Sequence, residues 1–239
     1  MERKRILIAT TRPNSTDASV RVCNPGRWFA LFLLIGWLSV NVVNAQLPEV
    51  TVLTDGHPTS IRGVSVWNDS IAWVSGSNGW KGRTDDRGAT WDWCQVIGHQ
   101  DTDFRDIEAF SAEEAIILSA GSPLVILRTS DGGKNWTEVY RDERPEVFFD
   151  GMDFWDNRRG IAYGDPIGGL MQLLITDDGG CTWRDVTQAA NMTLADGEAG
   201  FAASGTGIRA LRGGHIRIAT GGRISRLIHG TRYGRRWRT

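Results

Sequence analysis

A chain of 239 residues with 41% hydrophobic and 23% charged residues is ordinary globular material, long enough for one large domain or two small ones and unlike a disordered tail. Its net charge of −1 conceals a gradient: residues 1–45 hold six basic and two acidic residues, residues 46–200 hold 12 and 26, and residues 201–239 hold nine arginines and no acid. That distribution excludes a uniformly basic nucleic-acid binder, and 29 glycines with 11 tryptophans favour a turn-rich, all-β repeat protein.

At the N-terminus, Arg21 and Arg27 precede an apolar run from Trp28 to Val43, and Val43-Asn44-Ala45 then supplies a small-residue cleavage pattern. The run of 16 residues is shorter than the roughly 20 that cross a bilayer as a helix. The reading is a signal peptide over residues 1–45, export of a chain beginning at Gln46, and no stable membrane span after cleavage. Of the three cysteines, Cys23 falls in that signal, while Cys94 and Cys181 fall in different repeat units and are expected to be free thiols. No Cys-x-x-Cys pair or Cys/His cluster has zinc spacing, so no metal and no cofactor is expected.

Internal repetition carries most of the information. Thr84-Asp85-Asp86-Arg87-Gly88-Ala89-Thr90-Trp91, Thr129-Ser130-Asp131-Gly132-Gly133-Lys134-Asn135-Trp136 and Thr176-Asp177-Asp178-Gly179-Gly180-Cys181-Thr182-Trp183 align without gaps. A fourth copy ends in Gly234 and Trp237 but has Arg232 where the others have aspartate. The four tryptophans lie 45, 47 and 54 residues apart, close to the ~40–50 residues of one four-stranded propeller blade. An aspartate followed two residues later by glycine suits a tight hairpin turn, because the carboxylate accepts nearby backbone N–H groups and glycine tolerates positive φ. The tryptophan then opens the next strand with a large apolar face. Asp86, Gly88, Trp91, Asp131, Gly133, Trp136, Asp178, Gly180 and Trp183 therefore read as fold determinants, and none as a catalytic group.

Short strand-like runs fill each unit. Gly63–Trp67, Ile71–Ser75 and Trp80–Arg83 precede the first turn; Asp106–Phe110, Ala115–Ser119 and Leu124–Arg128 the second; Gly151–Trp155, Gly160–Tyr163 and Leu170–Ile175 the third. Ala199–Ser204, Ile208–Leu211, Ile216–Ala219 and Arg223–Ile228 make a fourth set. The predicted fold is an all-β propeller with four-stranded blades of about 45 residues, in units of about 58–97, 101–142, 146–188 and 197–239 within a domain over residues 46–239.

The repeated motif resembles the Asp-box, or BNR repeat, within the wider class of WD40/YVTN-like propellers. Gly164–Leu170, Gly197–Thr206 and Ile218–Gly222 are similar to segments of exported propellers related to photosystem II stability and assembly factors, some relatives of which carry the label oxidoreductase. That resemblance implies six or seven blades, so the four units here are expected to be part of a longer propeller or to close by association of two chains.

Propellers bind ligands where inner strands converge at the mouth of the channel. Aligning the first strand of each unit sets Arg62, Arg105, Asp150 and Glu198 just before that strand, as candidate ligand-binding residues able to orient a polar partner. The acidic Asp101-Thr102-Asp103 and the pair Phe148-Phe149 fall near the same end. With no recognisable catalytic constellation, the expected function is an exported, non-enzymatic scaffold that binds a protein, peptide or glycan. The alternative is a sialidase-like glycoside hydrolase, for which Arg62 and Arg105 could hold a sugar carboxylate, although none of Tyr140, Tyr163 and Tyr233 stands in a recognisable nucleophile setting. Literal oxidoreductase chemistry is a more remote alternative, since no Gly-x-Gly-x-x-Gly unit or paired cysteine supports it.

Overall fold

The computed structural model describes residues 7–9, 50–54, 57–202 and 205–238. The expected signal sequence thus lies outside the described residues except for Leu7–Ala9 (β1), which pairs antiparallel with Val50–Val52 (β2) in a small unit of its own.

The unit from Leu53 onward is a series of four-stranded antiparallel meanders, the blades of a β-propeller. Blade one comprises β3 (Ile61–Val66), β4 (Ala72–Gly76), β5 (Trp80–Thr84) and β6 (Asp92–Gln95). Blade two comprises β7 (Phe104–Ala109), β8 (Ala115–Ser119), β9 (Leu124–Thr129) and β10 (Thr137–Asp142). Blade three comprises β11 (Phe149–Phe154), β12 (Gly160–Ile167), β13 (Leu170–Thr176) and β14 (Arg184–Asp185), followed by a single helical turn, α1 (Thr187–Ala190). A two-residue strand, β15 (Glu198–Ala199), precedes blade four, whose strands are β16 (Ile208–Leu211), β17 (His215–Ala219), β19 (Leu227–Thr231) and β20 (Arg236–Arg238). Within blade four, β18 (Gly221–Gly222) leaves the sheet to pair with β15. The first strands of successive blades adjoin one another, so they are the innermost.

Period-2 alternation explains how blades stack. In β8, Ile116 and Leu118 face blade three, where they join Met152, Ala162, Leu174 and Trp183. Ala115 and Ile117 face the other way, into a core with Trp73, Val96 and Phe104. Between blades three and four, Ile161, Tyr163 and Leu173 meet Ile208, Ile216, Ile218 and Ile228. Each fully buried aliphatic side chain contributes about 1.5–3 kcal/mol, so these sandwiched cores dominate the stability of the stack.

The turn between the third and fourth strands is held identically in blades one to three. Asp86 Oδ1 accepts the Thr84 hydroxyl and the Thr90 N–H, while Gly88 N–H donates to Thr84 Oγ1. Asp131 repeats this with Thr129 and Asn135, and Asp178 with Thr176 and Thr182. These acceptor bonds hold all three carboxyls below the usual range, Asp131 at about 2. In blade four the threonine and aspartate positions are Gly230 and Arg232, and three consecutive left-handed residues, Arg232, Tyr233 and Gly234, make the turn instead. Trp237 Nε1 still donates to Gly234 O, as Trp136 Nε1 does to Gly133 O.

In blades two, three and four the glycine of the turn also faces the preceding blade, while Gly88 of blade one faces Leu53. At Gly180, with φ +75°, a Cβ would lie 2.1 Å from Ile116 Cδ1. Gly180→Val is expected to destabilise the protein by about 2–4 kcal/mol through backbone strain and overpacking, read as a lower urea midpoint. An unchanged midpoint would show that blades two and three do not pack through this turn.

Blade four departs from the sequence reading. Of the expected first strand, Ala199–Ser204, residues 203–204 lie outside the described residues and residues 199–202 are not in the blade sheet; Ile208–Leu211 takes that place, Leu227–Thr231 replaces Arg223–Ile228 as the third strand, and Arg236–Arg238 is the fourth. The physical reason lies in composition. Residues 199–204 carry no β-branched side chain and one large one, Phe201, which is 58% exposed, whereas Ile208, Ile216, Ile218 and Ile228 all point at blade three.

Candidate functional site

The innermost strands of blades one to three share one irregularity near their start. Ile61 pairs with Gly76 and Gly63 with Ser75, leaving Arg62 as an extra residue; Arg105 and Asp150 occupy the same bulged step in β7 and β11. A bulge bends the strand and re-aims its side chain, so three consecutive blades place an ionisable residue at one structural position. In blade four Gly207 O receives the Ala219 N–H, where Gly151 pairs with Tyr163, which makes Thr206 the corresponding residue.

Glu198 does not share that step. It sits in β15 opposite Gly222, buried, and its carboxylate accepts Arg226 Nε (2.8 Å) and Nη2 (2.7 Å), the Thr220 hydroxyl and the Ala195 N–H (2.9 Å). The Arg226 guanidinium, first, and these other donors hold its carboxyl down at about 2. A carboxylate so fully engaged anchors a loop and has no lone pair left for a ligand.

The three bulged residues differ in their surroundings. Among the described residues Arg62 makes no hydrogen bond or ion pair, and its Nε is buried. Arg105 is half-buried, donates to Asp103 Oδ2 (3.0 Å) and Ala202 O (3.1 Å), and lies 5.9 Å from the centre of the Phe148 ring. The aromatic pair is therefore divided: Phe148 lies under a guanidinium and Phe149 is buried between blades two and three. Asp150 is 1% exposed, and its Oδ2 has no hydrogen-bond partner among the described residues. Burial, reinforced by the nearby Asp165 and opposed by Arg105, pushes its carboxyl up to about 8.

Over this end runs the glycine-rich segment 197–207, where glycine is required by contact. A Cβ on Gly200 would lie 2.2 Å from Asp150 Oδ2, and one on Gly207 would lie 2.1 Å from the Tyr163 hydroxyl. Gly200 N–H donates to Asp165 Oδ1, and Arg105 holds Ala202 O, so the loop is fastened to blades two and three at two points. The Tyr163 hydroxyl is buried beside the Phe201 backbone, and burial raises its pKa.

Sequence reasoning did not reach the second layer beneath the bulges. Asp106 is buried and bridges blades two and three, accepting from Ile107 N–H (2.9 Å) and Met152 N–H (2.8 Å). Asp153 does the same for Ala210 N–H of blade four, and Ser65 Oγ for Ala109 N–H of blade two. These side chains satisfy inner-strand donors that no strand pairs. Burial pushes Asp106 to about 7 and Glu108, beside it on β7, to about 8. Their signal in the sequence is an acidic residue inside an otherwise apolar strand, which alone does not distinguish a bridge from a binding group.

A separate cavity of about 320 Å³ is lined by Arg144, Ile167, Gln172, Asp185, Thr187 and Gln188. Its guanidinium is committed to Asp142 and Gln172. The described residues contain no cluster of three or more metal-ligating side chains, and no described helix is long and apolar enough to cross a membrane. Cys94 and Cys181 are free thiols.

Residues 50–147 match the family described as Photosynthesis system II assembly factor YCF48. Photosystem II assembly lipoprotein Ycf48 of Synechococcus sp. (strain CC9902) is 30% identical over 129 residues, 53% of this chain and 37% of that protein. The structure of YCF48 from Cyanidioschyzon merolae aligns with a TM-score of 0.52 at 17% identity, over 77% of this chain and 57% of that one. A GH74 enzyme of Niastella koreensis aligns with a TM-score of 0.54 at 19% identity, over 81% of this chain and 27% of that one. The chain thus spans well under two thirds of the length of the relatives it matches, and the two structural likenesses speak to fold alone. On sequence and fold together, the blades are of the BNR type and the chain is related to the photosystem II assembly factor.

Proposed function

We propose that this chain is an exported, non-enzymatic scaffold that holds a protein or peptide segment at the inner-strand mouth, in an assembly role like that named for its Synechococcus relative. The observation that carries this reading is the repeated bulge, which brings Arg62 and Arg105 to one end of two consecutive blades, while Asp150 at the same step of blade three lies buried beneath the Gly200 loop. Arg62 offers an uncommitted guanidinium, suited to charge-assisted hydrogen bonds with a carboxylate or a carbonyl. Arg105 is already braced by Asp103 and Phe148, so its direction is set before a ligand arrives.

The test is fluorescence anisotropy with labelled peptides of varied net charge, with free and amidated C-termini, against the full chain. At least one peptide class is expected to bind, and Arg62→Ala to weaken it about tenfold, the loss of one charge-assisted hydrogen bond, with an unchanged circular dichroism spectrum. Absence of binding across the panel, or turnover of a fluorogenic sialoside that Arg62→Ala abolishes, would overturn the reading.

A further inference from the structure

We infer that Phe201 is the specificity-determining residue of the mouth, its ring receiving an apolar side chain of a peptide segment whose nearby carboxylate meets Arg62 and Arg105. The inference rests on the reading of this end as a peptide site, and it adds what must stand beside the carboxylate.

Phe201 is 58% exposed, yet the backbone on either side of it is fixed. Gly200 N–H donates to Asp165 Oδ1 (3.0 Å), and Ala202 O accepts from Arg105 Nη1 (3.1 Å). The ring between these anchors has a seat of its own. A Cβ on Gly221 would lie 2.4 Å from Phe201 Cε2 and 2.8 Å from Cζ, so glycine there lets the ring settle on the β18 backbone. Gly221 reaches that place because β18 leaves the blade-four sheet to pair with β15, Gly221 opposite Ala199 and Gly222 opposite Glu198. The Glu198–Arg226 ion pair at 2.7 Å braces the same two-stranded ladder. The segments 197–202 and 218–222 thus meet, and what they hold is one aromatic ring with more than half of its surface in solvent. An exposed phenylalanine on a loose loop is ordinary. A ring fixed in direction before a ligand arrives is different, because it loses little entropy when it is covered.

Position decides what can cover it. Ala219 N–H donates to Gly207 O at the end of blade four that matches the bulged ends of blades one to three, and Phe201 and Gly221 lie beyond that pair. Blades stack through their flanks, whereas this ring stands at the strand ends, on the end that carries Arg62 and Arg105. Ala202, whose carbonyl Arg105 holds, follows Phe201 directly, so the ring and the guanidinium belong to one small area.

Arg105 uses Nε and Nη2 on Asp103 and one Nη1 hydrogen on Ala202 O, and among the described residues Arg62 makes no hydrogen bond or ion pair. A ligand therefore meets spare donors on two arginines beside an apolar ring. A carboxylate alone would satisfy the arginines and leave the ring in water. A carboxylate with an aliphatic or aromatic side chain nearby satisfies both, through charge-assisted hydrogen bonds and apolar burial. If the carboxylate is the peptide's terminus, that side chain is the last residue's own. If it is an aspartate, the side chain comes two residues away, since alternate residues of an extended segment share a face.

The test is fluorescence anisotropy of N-terminally labelled peptides with the full chain. One series ends in a free carboxylate on leucine or serine; the other is amidated, with an internal aspartate and leucine or serine two residues on. In at least one series the leucine peptide is expected to bind about tenfold tighter than its serine twin, the effect of burying one aliphatic side chain. The series that shows it identifies which carboxylate is read. Phe201→Ser should bring that ratio to about one while changing serine-peptide affinity by less than about twofold, and Phe201→Leu should retain part of the preference. Arg62→Ala should weaken leucine and serine peptides alike and preserve the ratio. Circular dichroism verifies that each variant folds. Equal affinity for leucine and serine peptides, a preference that survives Phe201→Ser, or an equal loss for both peptides in that variant would each overturn the inference and leave the peptide site standing. A panel in which nothing binds would overturn the peptide site and this inference with it.

Discussion

Replacing Glu198 with glutamine should lower stability by about 2–4 kcal/mol, the range for removing one partner of a buried, hydrogen-bonded ion pair. Glutamine keeps the size and one acceptor oxygen, so the loss isolates the charge. In the native chain the carboxylate takes two bonds from Arg226 and one each from Thr220 and Ala195. Without it the guanidinium, 27% exposed, loses its counter-charge, and the glutamine N–H₂ faces donors. The damage should reach the mouth, because β15 begins the loop whose Ala202 carbonyl orients Arg105 and whose Gly200 N–H bonds Asp165. Urea unfolding of the single variants and the Glu198→Gln, Arg226→Met double variant gives the coupling directly. Coupling below about 0.5 kcal/mol would mean that the pair does not hold this loop.

Blades one to three were legible because each closes on the same eight-residue turn, and the intervals of 45 and 47 residues between Trp91, Trp136 and Trp183 each hold four short strands. The strands themselves announced their period through residues such as Ile116 and Leu118. Blade four was misread at its start because the glycine-rich stretch 197–207 adjoins a strand pattern without being one. Its place is dictated by contacts with Asp150 and Tyr163, more than 35 residues earlier in the chain. The same misplacement set Glu198 beside Arg62, Arg105 and Asp150, whereas pairing of Ala219 with Gly207 puts Thr206 there. Alignment of first strands brought the other three residues to one step, but the bulge that turns them was invisible, since it depends on how the neighbouring strand pairs. Asp106 was out of reach for a related reason. Its role is defined by the Met152 N–H, 46 residues away in the next blade, and no local pattern marks an inner-strand donor that lacks a strand partner.

Stability should fall as pH rises from about 5 to about 8.5, the reverse of the usual acid-sensitive profile. The groups responsible are carboxyls whose burial lifts them well above the ordinary carboxylate range: Asp106 to about 7, Glu108 and Asp150 to about 8, with Asp153 and Asp165 shifted in the same direction. A carboxyl whose folded pKa exceeds its unfolded value is bound to its proton more tightly in the native state. Its contribution is complete below the unfolded value near 4 and is lost as pH rises through the folded value. Each such group sets a slope of at most about 1.4 kcal/mol per pH unit. Asp106 and Glu108 repel one another on the same strand, so ionising the first delays the second and carries the loss further toward alkaline pH. Glu198 acts oppositely: held at about 2, it contributes fully above its ordinary value and is lost as pH falls toward 2. The two effects together put maximal stability at about pH 4 to 5. Urea midpoints measured across this range test the sign, and a midpoint that rises toward pH 8.5 would refute it. The Asp106→Asn, Glu108→Gln variant should shallow the alkaline limb, part of which stays with Asp150, while leaving in place the acid limb of Glu198 and the turn carboxylates Asp86, Asp131 and Asp178. Loss of the acid limb instead would reassign the titration to the loop anchor and leave the inner-strand carboxyls as neutral spacers between blades.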